Sequence, residues 1–181
     1  VVGVHGTAII KNSFINPILL VALTENINGT NNIFAGDFVN MYIFLGGAGS
    51  TLGLVLLMVF NAKSDQLKVL GKAAILPGLF NINEPVIFGA PIVYNPYLMI
   101  PFIVTPIINV TISYFSASVD LVNKIISGIP WISPVGVGAF LGTGGDFRGV
   151  LIAFINLAVS ILIYYPFFKM YDNKLYAQQQ K

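Results

Sequence analysis

Leu79-Phe-Asn-Ile-Asn-Glu-Pro-Val-Ile-Phe-Gly-Ala-Pro91 sets one carboxylate, Glu84, in the middle of an apolar region and flanks it with two amides and two prolines. Glu84 is the only acid between Asp65 and Asp120. An ionisable group at membrane depth costs at least a few kcal/mol, so it normally faces a cavity with a partner. Pro85 suits the first turn of a helix, where its missing N–H would be an orphan in any case. This places Glu84 at the N-cap of a half-helix running through Val86 to Ala90, close to its positive end. Asn81 and Asn83 then supply amides on an unwound segment. The three side chains form a short polar ledge suited to sugar hydroxyls, with Glu84 as candidate catalytic and substrate-binding residue and Asn81 and Asn83 as candidate substrate-binding residues. The competing reading is that Glu84 only caps its own helix.

The flanking chain shows why such a ledge would sit in a membrane. Of 181 residues, 56% are apolar and 9% charged, and the mean hydropathy is +0.83. Soluble domains carry about 25% charged residues. Nine basic and seven acidic residues leave a net charge of +2, too small and scattered for a nucleic-acid surface. Zero cysteines exclude a disulfide scaffold and a thiol nucleophile, and a single His argues against a metal cluster. No cofactor is expected. Residues 38–60, 97–117 and 149–168 are each uncharged and long enough to cross about 30 Å of hydrocarbon as helices. Residues 14–24, 73–90 and 129–141 are apolar but too short or too broken to span.

Six of the ten prolines fall between Pro77 and Pro106. Each removes a backbone donor and obstructs the preceding turn. In lipid, such backbone survives only inside protein or along a polar cavity. Residues 73–90 are therefore expected to form re-entrant half-helices. Charge placement agrees: Lys63, Lys68 and Lys72 follow the first apolar stretch, and Lys169, Lys174 and Lys181 follow the last, so both ends are expected to be cytoplasmic. Parity holds only if 73–96 enters and leaves from one side. The expected fold is all-α, a polytopic transmembrane helical protein with re-entrant half-helix hairpins.

Other features are less specific. His5 lies in Gly3-Val-His-Gly6 and is either a core histidine or a group that bonds a hydroxyl or acts as a base. Gly46-Gly-Ala-Gly49-Ser-Thr-Leu-Gly53 lacks the Lys of a phosphate-binding loop, so its small residues are expected to let another helix approach. Trp131, the only Trp, stands in Ile129-Pro-Trp-Ile-Ser-Pro134. Asp146 and Arg148, the only Arg, stand two apart ahead of the last stretch. Trp131, Asp146 and Arg148 are candidate gate or structural residues. The opening Val-Val-Gly-Val-His-Gly, with no Met and no basic region before an apolar stretch, is not a signal peptide and reads as the middle of a longer polypeptide.

Together, Val-His-Gly at 4–6, Asn-Ile-Asn-Glu-Pro at 81–85, Pro130-Trp-x-x-Pro134 and Gly144-Gly-Asp-x-Arg148 resemble the enzyme IIC permease of the bacterial sugar phosphotransferase system. The nearest branch is the lactose/cellobiose/diacetylchitobiose family. Ser133 and Phe147 are mild departures from its usual pattern. The resemblance covers residues 1–181 and implies the C-terminal, sugar-binding part of such a permease, with the N-terminal helices absent. It implies a multi-pass protein of the bacterial cell membrane, in contact with lipid and homodimeric in its full-length form. It further implies that His5 and Glu84 bind a disaccharide near the hydroxyl that becomes phosphorylated. Phosphate would come from a cytoplasmic IIB partner carrying a phosphocysteine, so the chain itself is a transporter subunit. An ion-coupled secondary sugar transporter is the alternative.

Overall fold

The computed structural model describes residues 11–180, with side chains from residue 13. Among these, every regular element is helical: α1 (Asn16–Ile27), α2 (Leu52–Asn61), α3 (Asp65–Leu79), α4 (Glu84–Gly89), α5 (Pro96–Ser118), α6 (Val137–Gly142) and α7 (Phe147–Gln179). A π-helical turn at Lys11–Ile15 precedes α1, another occupies Val39–Ile43, and a 3-10 turn at Ile92–Tyr94 leads into α5. His5 lies outside the described residues.

Among the described residues, α5 and α7 are the two helices long and apolar enough to cross a membrane. They lie against each other, and α2 packs on both α3 and α7. The buried stripe of α5 is Leu98, Pro101, Thr105, Asn109, Ser113 and Ala117. On α7 it includes Ile152, Ala153, Asn156, Ser160, Tyr164 and Phe168. Steps of three and four residues keep each stripe on one helical face. The outward faces carry Ile100, Ile103, Ile107 and Phe115 on α5, and Leu151, Phe154 and Leu162 on α7. Polar inside and apolar outside is the arrangement that suits a hydrocarbon solvent.

The interior is layered accordingly. One apolar cluster joins Leu54 and Met58 of α2, Leu67 of α3, Val86 of α4, Leu98 of α5, and Tyr164 and Phe168 of α7. A second joins Leu23 of α1 with Phe38, Met41, Ile125, Ala139 and Ile152. Along α5 and α7, the polar residues Thr105, Asn109, Ser113, Asn156 and Ser160 fall between the two clusters.

That polar layer explains a departure from expectation. Residues 38–60 are not one spanning helix. The π-helical turn stops at Ile43, and regular helix resumes at Leu52. Between them Gly46, Gly47, Gly49 and Ser50 all have positive φ, which a right-handed helix does not tolerate. The exposed carbonyls of this break are paired by side chains. Asn156 Nδ2 donates to Tyr42 O (2.9 Å), Asn109 Nδ2 to Ile43 O (3.3 Å), Ser160 Oγ to Ser50 O (2.7 Å) and Tyr164 Oη to Gly49 O (2.8 Å). An unpaired buried carbonyl costs about 1–3 kcal/mol, so this ladder is what allows the chain to unwind inside the protein.

α3 and α4 form a hairpin with both feet at one end of α7. At the first foot, Asp172 of α7 accepts from Lys63 N (2.8 Å) and Ser64 N (2.9 Å), just ahead of α3. At the second, Tyr97 stacks on Tyr171 with ring centroids 6.3 Å apart. The tip, residues 80–83, reaches the unwound segment between Gly46 and Thr51. The unwound stretch expected within 73–90 is thus narrower than that range, since α3 runs unbroken through Pro77 to Leu79.

Candidate functional site

Asn-Ile-Asn at 81–83 works as a stop and a start one residue apart. Ile82 N donates to Pro77 O (3.0 Å) and Asn81 N to Gly78 O (3.2 Å), while Asn81 takes φ +63°. This is a Schellman closure of α3, with Asn81 in the left-handed position that Gly usually fills. Asn83 is the N-cap of α4, its carbonyl accepting from Val86 N and Ile87 N (both 3.0 Å). Glu84 is therefore the first residue of α4 and Pro85 the second, one place later than the capping pattern predicts. Glu84 still stands in the first turn, where a negative charge is favoured.

Asn81 is where three unwound segments meet. Its Oδ1 accepts from Gly46 N (2.8 Å). Its Nδ2 donates to Trp131 O (2.8 Å) and Ser133 O (3.2 Å). The break after Ile43, the hairpin tip and the Pro-Trp loop are thereby tied to one amide, itself 6% exposed. Asn83 does the same toward one segment, donating to Ala48 O (2.7 Å) and Thr51 Oγ1 (3.1 Å). Gly47 is required here: a Cβ on it would lie 2.5 Å from Asn83 Cγ, and its φ is +91°. The small-residue run at 46–53 does permit close approach, at Gly47 and Gly49 from an unwound backbone to the hairpin tip and α5, and at Gly53 from helix α2 to helix α7.

The expected ledge separates into two parts. Asn81 and Asn83 are buried, and their amide protons are spent on protein carbonyls and a hydroxyl. Glu84 is exposed, which corrects the expectation of a carboxylate buried within this chain. The outward direction follows from its place at the tip: Asn81 and Asn83 turn inward to the staples, and Glu84 leaves on the other side of the first turn. Ile82 and Phe88 are exposed with it.

A narrow cleft of about 10 Å³ opens beside Asn81, lined also by Asp37, Asn40, Trp131 and Ser133 but not by Glu84. Asn40 Nδ2 donates to Asp37 Oδ1 at 2.6 Å. This Asp-x-x-Asn pair is absent from the sequence-based candidates; its signal is an acid and an amide three apart at the head of an uncharged stretch. The Trp131 indole is 54% exposed, and only its carbonyl is tied into the fold.

Asp146 and Arg148 lie away from the tip, at the N-terminus of α7. Asp146 caps the helix through Arg148 N (2.9 Å) and pairs with Arg148 Nε (3.0 Å). It also accepts from Asn123 N (2.9 Å), while Arg148 Nη2 donates to Asn123 Oδ1 (3.1 Å). Partial burial works to raise the Asp146 carboxyl. Hydrogen bonds from the Arg148 guanidinium and the Asn123 and Arg148 N–H groups, with the guanidinium charge, outweigh it and hold the group below its usual 3.8. The pair is a clamp between α7 and the 119–125 loop.

Residues 1–106 match the family described as "Phosphotransferase system, EIIC". The chain is 47% identical over 143 residues to the lichenan permease IIC component of Bacillus subtilis, covering 78% of this chain and 32% of that protein. It is 41% identical over 187 residues to the cellobiose-specific EIIC component of Geobacillus stearothermophilus, covering 98% and 41%. The crystal structure of the transporter ChbC, the IIC component from the N,N'-diacetylchitobiose-specific phosphotransferase system, superposes with a TM-score of 0.92. The identity there is 39%, over 98% of this chain and 43% of that one. The chain thus spans well under half the length of these relatives. On the family match, joined to an all-helical fold that closely follows a solved IIC transporter, the chain belongs to the EIIC family of the phosphotransferase system.

Proposed function

We propose that the chain is the sugar-binding part of a phosphotransferase-system permease that carries a disaccharide of the cellobiose, lactose or chitobiose type across the bacterial cell membrane. The observation that carries this reading is the hairpin tip. Its two amides are consumed in holding three unwound segments together, and among the described residues this leaves the Glu84 carboxylate exposed beside them. A carboxylate held on a stapled turn is preorganised to accept from a sugar hydroxyl.

The hairpin enters and leaves from the end marked by Lys63 and Lys169, which is read as cytoplasmic and the hairpin as re-entrant. α5 and α7 are the spanning helices beside it. The full-length permease is read as a homodimer in lipid.

In the proposed reaction the 6-hydroxyl oxygen of the bound sugar attacks the phosphorus of a phosphocysteine on a IIB partner. The O–P bond forms as the S–P bond breaks, the thiolate departs, and the hydroxyl proton passes to Glu84. The sugar remains inside as a charged phosphate ester. The chain has no cysteine of its own. His5 is assigned with Glu84 to the sugar by the family resemblance. The family match favours this group translocation over ion-coupled transport.

Glu84→Gln in the intact permease tests the reading, because it keeps shape and loses charge. Sugar binding should weaken and phosphorylation by IIB should fall by at least about tenfold, a low value for a lost general base. Undiminished binding and phosphorylation would remove Glu84 from the mechanism.

A further inference from the structure

A second cleft, about 170 Å³, lies far from the hairpin tip and is lined by Asn61, Lys63, Tyr165, Phe168, Lys169 and Asp172. It sits where α2 ends and where α7 changes character. Residues 149–168 are uncharged, and Lys169, Asp172 and Lys174 follow. An apolar-to-charged change with tyrosines at the boundary is the signature of headgroup level.

The charges in this cleft are unevenly committed. Both carboxylate oxygens of Asp172, which is 2% exposed, are taken by the N–H groups of Lys63 and Ser64. The Lys63 ammonium makes no hydrogen bond or ion pair among the described residues, whereas the nearby Lys68 is paired with Asp65 at 3.1 Å. Lys169 Nζ is 3.5 Å from Tyr165 Oη and rests over the Tyr165 ring, 5.5 Å from its centroid. The C-terminus of α2 and the N-terminus of α3 meet at this loop, so their opposed dipole ends offset each other. Two ammoniums against one carboxylate leave a net single positive charge, with the Tyr165 hydroxyl and the Asn61 amide as further donors.

We infer that this cleft is a binding site for a phosphate group, matched in charge to the phosphodiester of an anionic phospholipid and open also to a free phosphate. One positive charge meets one negative charge, and two lysines flank it as point-charge binders. On α7 the exposed apolar residues Leu162, Ile155 and Leu151 run away from the cleft in the direction acyl chains would take. The site is independent of Glu84 and of sugar.

The test compares retention of phosphatidylglycerol and phosphatidylcholine by the detergent-purified protein, measured by native mass spectrometry, with inorganic phosphate binding measured separately by calorimetry. Two double variants are used: Lys63→Gln with Lys169→Gln, and Lys68→Gln with Lys72→Gln, which removes equal charge outside the cleft. Neither cleft ammonium anchors the fold, and Lys63 keeps its backbone bond to Asp172, so circular dichroism should be unchanged. Phosphatidylglycerol should be preferred, and the preference should fall about fivefold for each cleft lysine removed but hold in the control. Saturable inorganic phosphate binding with the same dependence, and no lipid preference, would make free phosphate the ligand. Equal losses in both double variants, or no preference for any phosphate-bearing probe, would overturn the site.

Discussion

Asn83→Ala separates two jobs that one amide could hold, ligand for sugar or staple for the turn that bears Glu84. In the structure Nδ2 donates to Ala48 O at 2.7 Å and to Thr51 Oγ1 at 3.1 Å, in a residue 6% exposed. Thr51 loses little on truncation, because its hydroxyl still donates to Gly46 O at 2.7 Å. The Ala48 carbonyl loses the bond from Asn83, and a buried acceptor left unpaired costs about 1–3 kcal/mol. The backbone N-cap bonds of α4 survive, so the helix itself should persist. The ligand-free protein should therefore unfold more easily by about 1–3 kcal/mol. Sugar affinity should fall as a second consequence, since the turn holding Glu84 is loosened. Adding Thr51→Val should show coupling between the two sites of about 0.5 kcal/mol or more, as expected for contacting residues. Denaturant or thermal unfolding without sugar, followed by a sugar titration, reads both quantities. Unchanged ligand-free stability with weakened sugar binding would refute the staple and make Asn83 a direct ligand.

Asp146 is held below its ordinary 3.8 in the folded protein, so its stabilising contribution is complete above that value and disappears as the pH falls further, through the lowered one. Asp146→Asn should melt lower at neutral pH and show a flatter acid limb in a pH series of melting curves. Asn156→Leu removes the donor to Tyr42 O (2.9 Å) and to Ser113 Oγ (2.7 Å), which keeps its own bond to Asn109 O, but also a buried Oδ1 that has no partner among the described residues, so its net cost should be only about 1 kcal/mol. Denaturant unfolding should rank it as milder than Asn83→Ala. Trp131→Ala should leave stability within about 0.5 kcal/mol, because the indole is exposed and only the backbone carbonyl is bonded. A larger loss on melting would mean the ring itself holds the Pro-Trp loop.

Much of the fold is legible in the residues taken in order. α5 shows as an uncharged window at 97–117, and α7 as one at 149–168, because hydropathy averages over a helix and both helices are regular. The hairpin tip shows because Asn, Pro and Gly have backbone preferences that hold without context. The break after Ile43 does not show. A hydropathy window sees 38–60 as uniformly apolar and is blind to the left-handed backbone at Gly46, Gly47, Gly49 and Ser50. The clue lies elsewhere, in Thr105, Asn109 and Ser113 at four-residue spacing, with Asn156 and Ser160 spaced the same way. A row of donors down one face of an apolar helix implies acceptors opposite, and those acceptors are the carbonyls of an unwound segment.

Glu84 stands out in the sequence for its chemistry, but its surroundings differ from those expected. The energetic cost of burying a carboxylate points to a functional acid, yet in this chain the group is exposed and the neighbouring amides are the buried ones. Asn81 and Asn83 suit a sugar because amides suit hydroxyls. Their spacing better fits a helix stop followed by a helix start, which only the paired backbone bonds to Pro77, Gly78 and Val86 make visible. Asp146 and Arg148 pair with each other, as two charges two residues apart allow, and with the 119–125 loop as well.

A sugar-bound structure of the intact permease tests the role of Glu84 most directly. A sugar hydroxyl should sit within about 2.5–3.2 Å of its carboxylate, with Asn81 and Asn83 still bonded to the Trp131 and Ala48 carbonyls. A sugar seated beyond hydrogen-bonding reach of Glu84, or one that takes the Asn83 amide from Ala48, would contradict that role and the stapled turn beneath it.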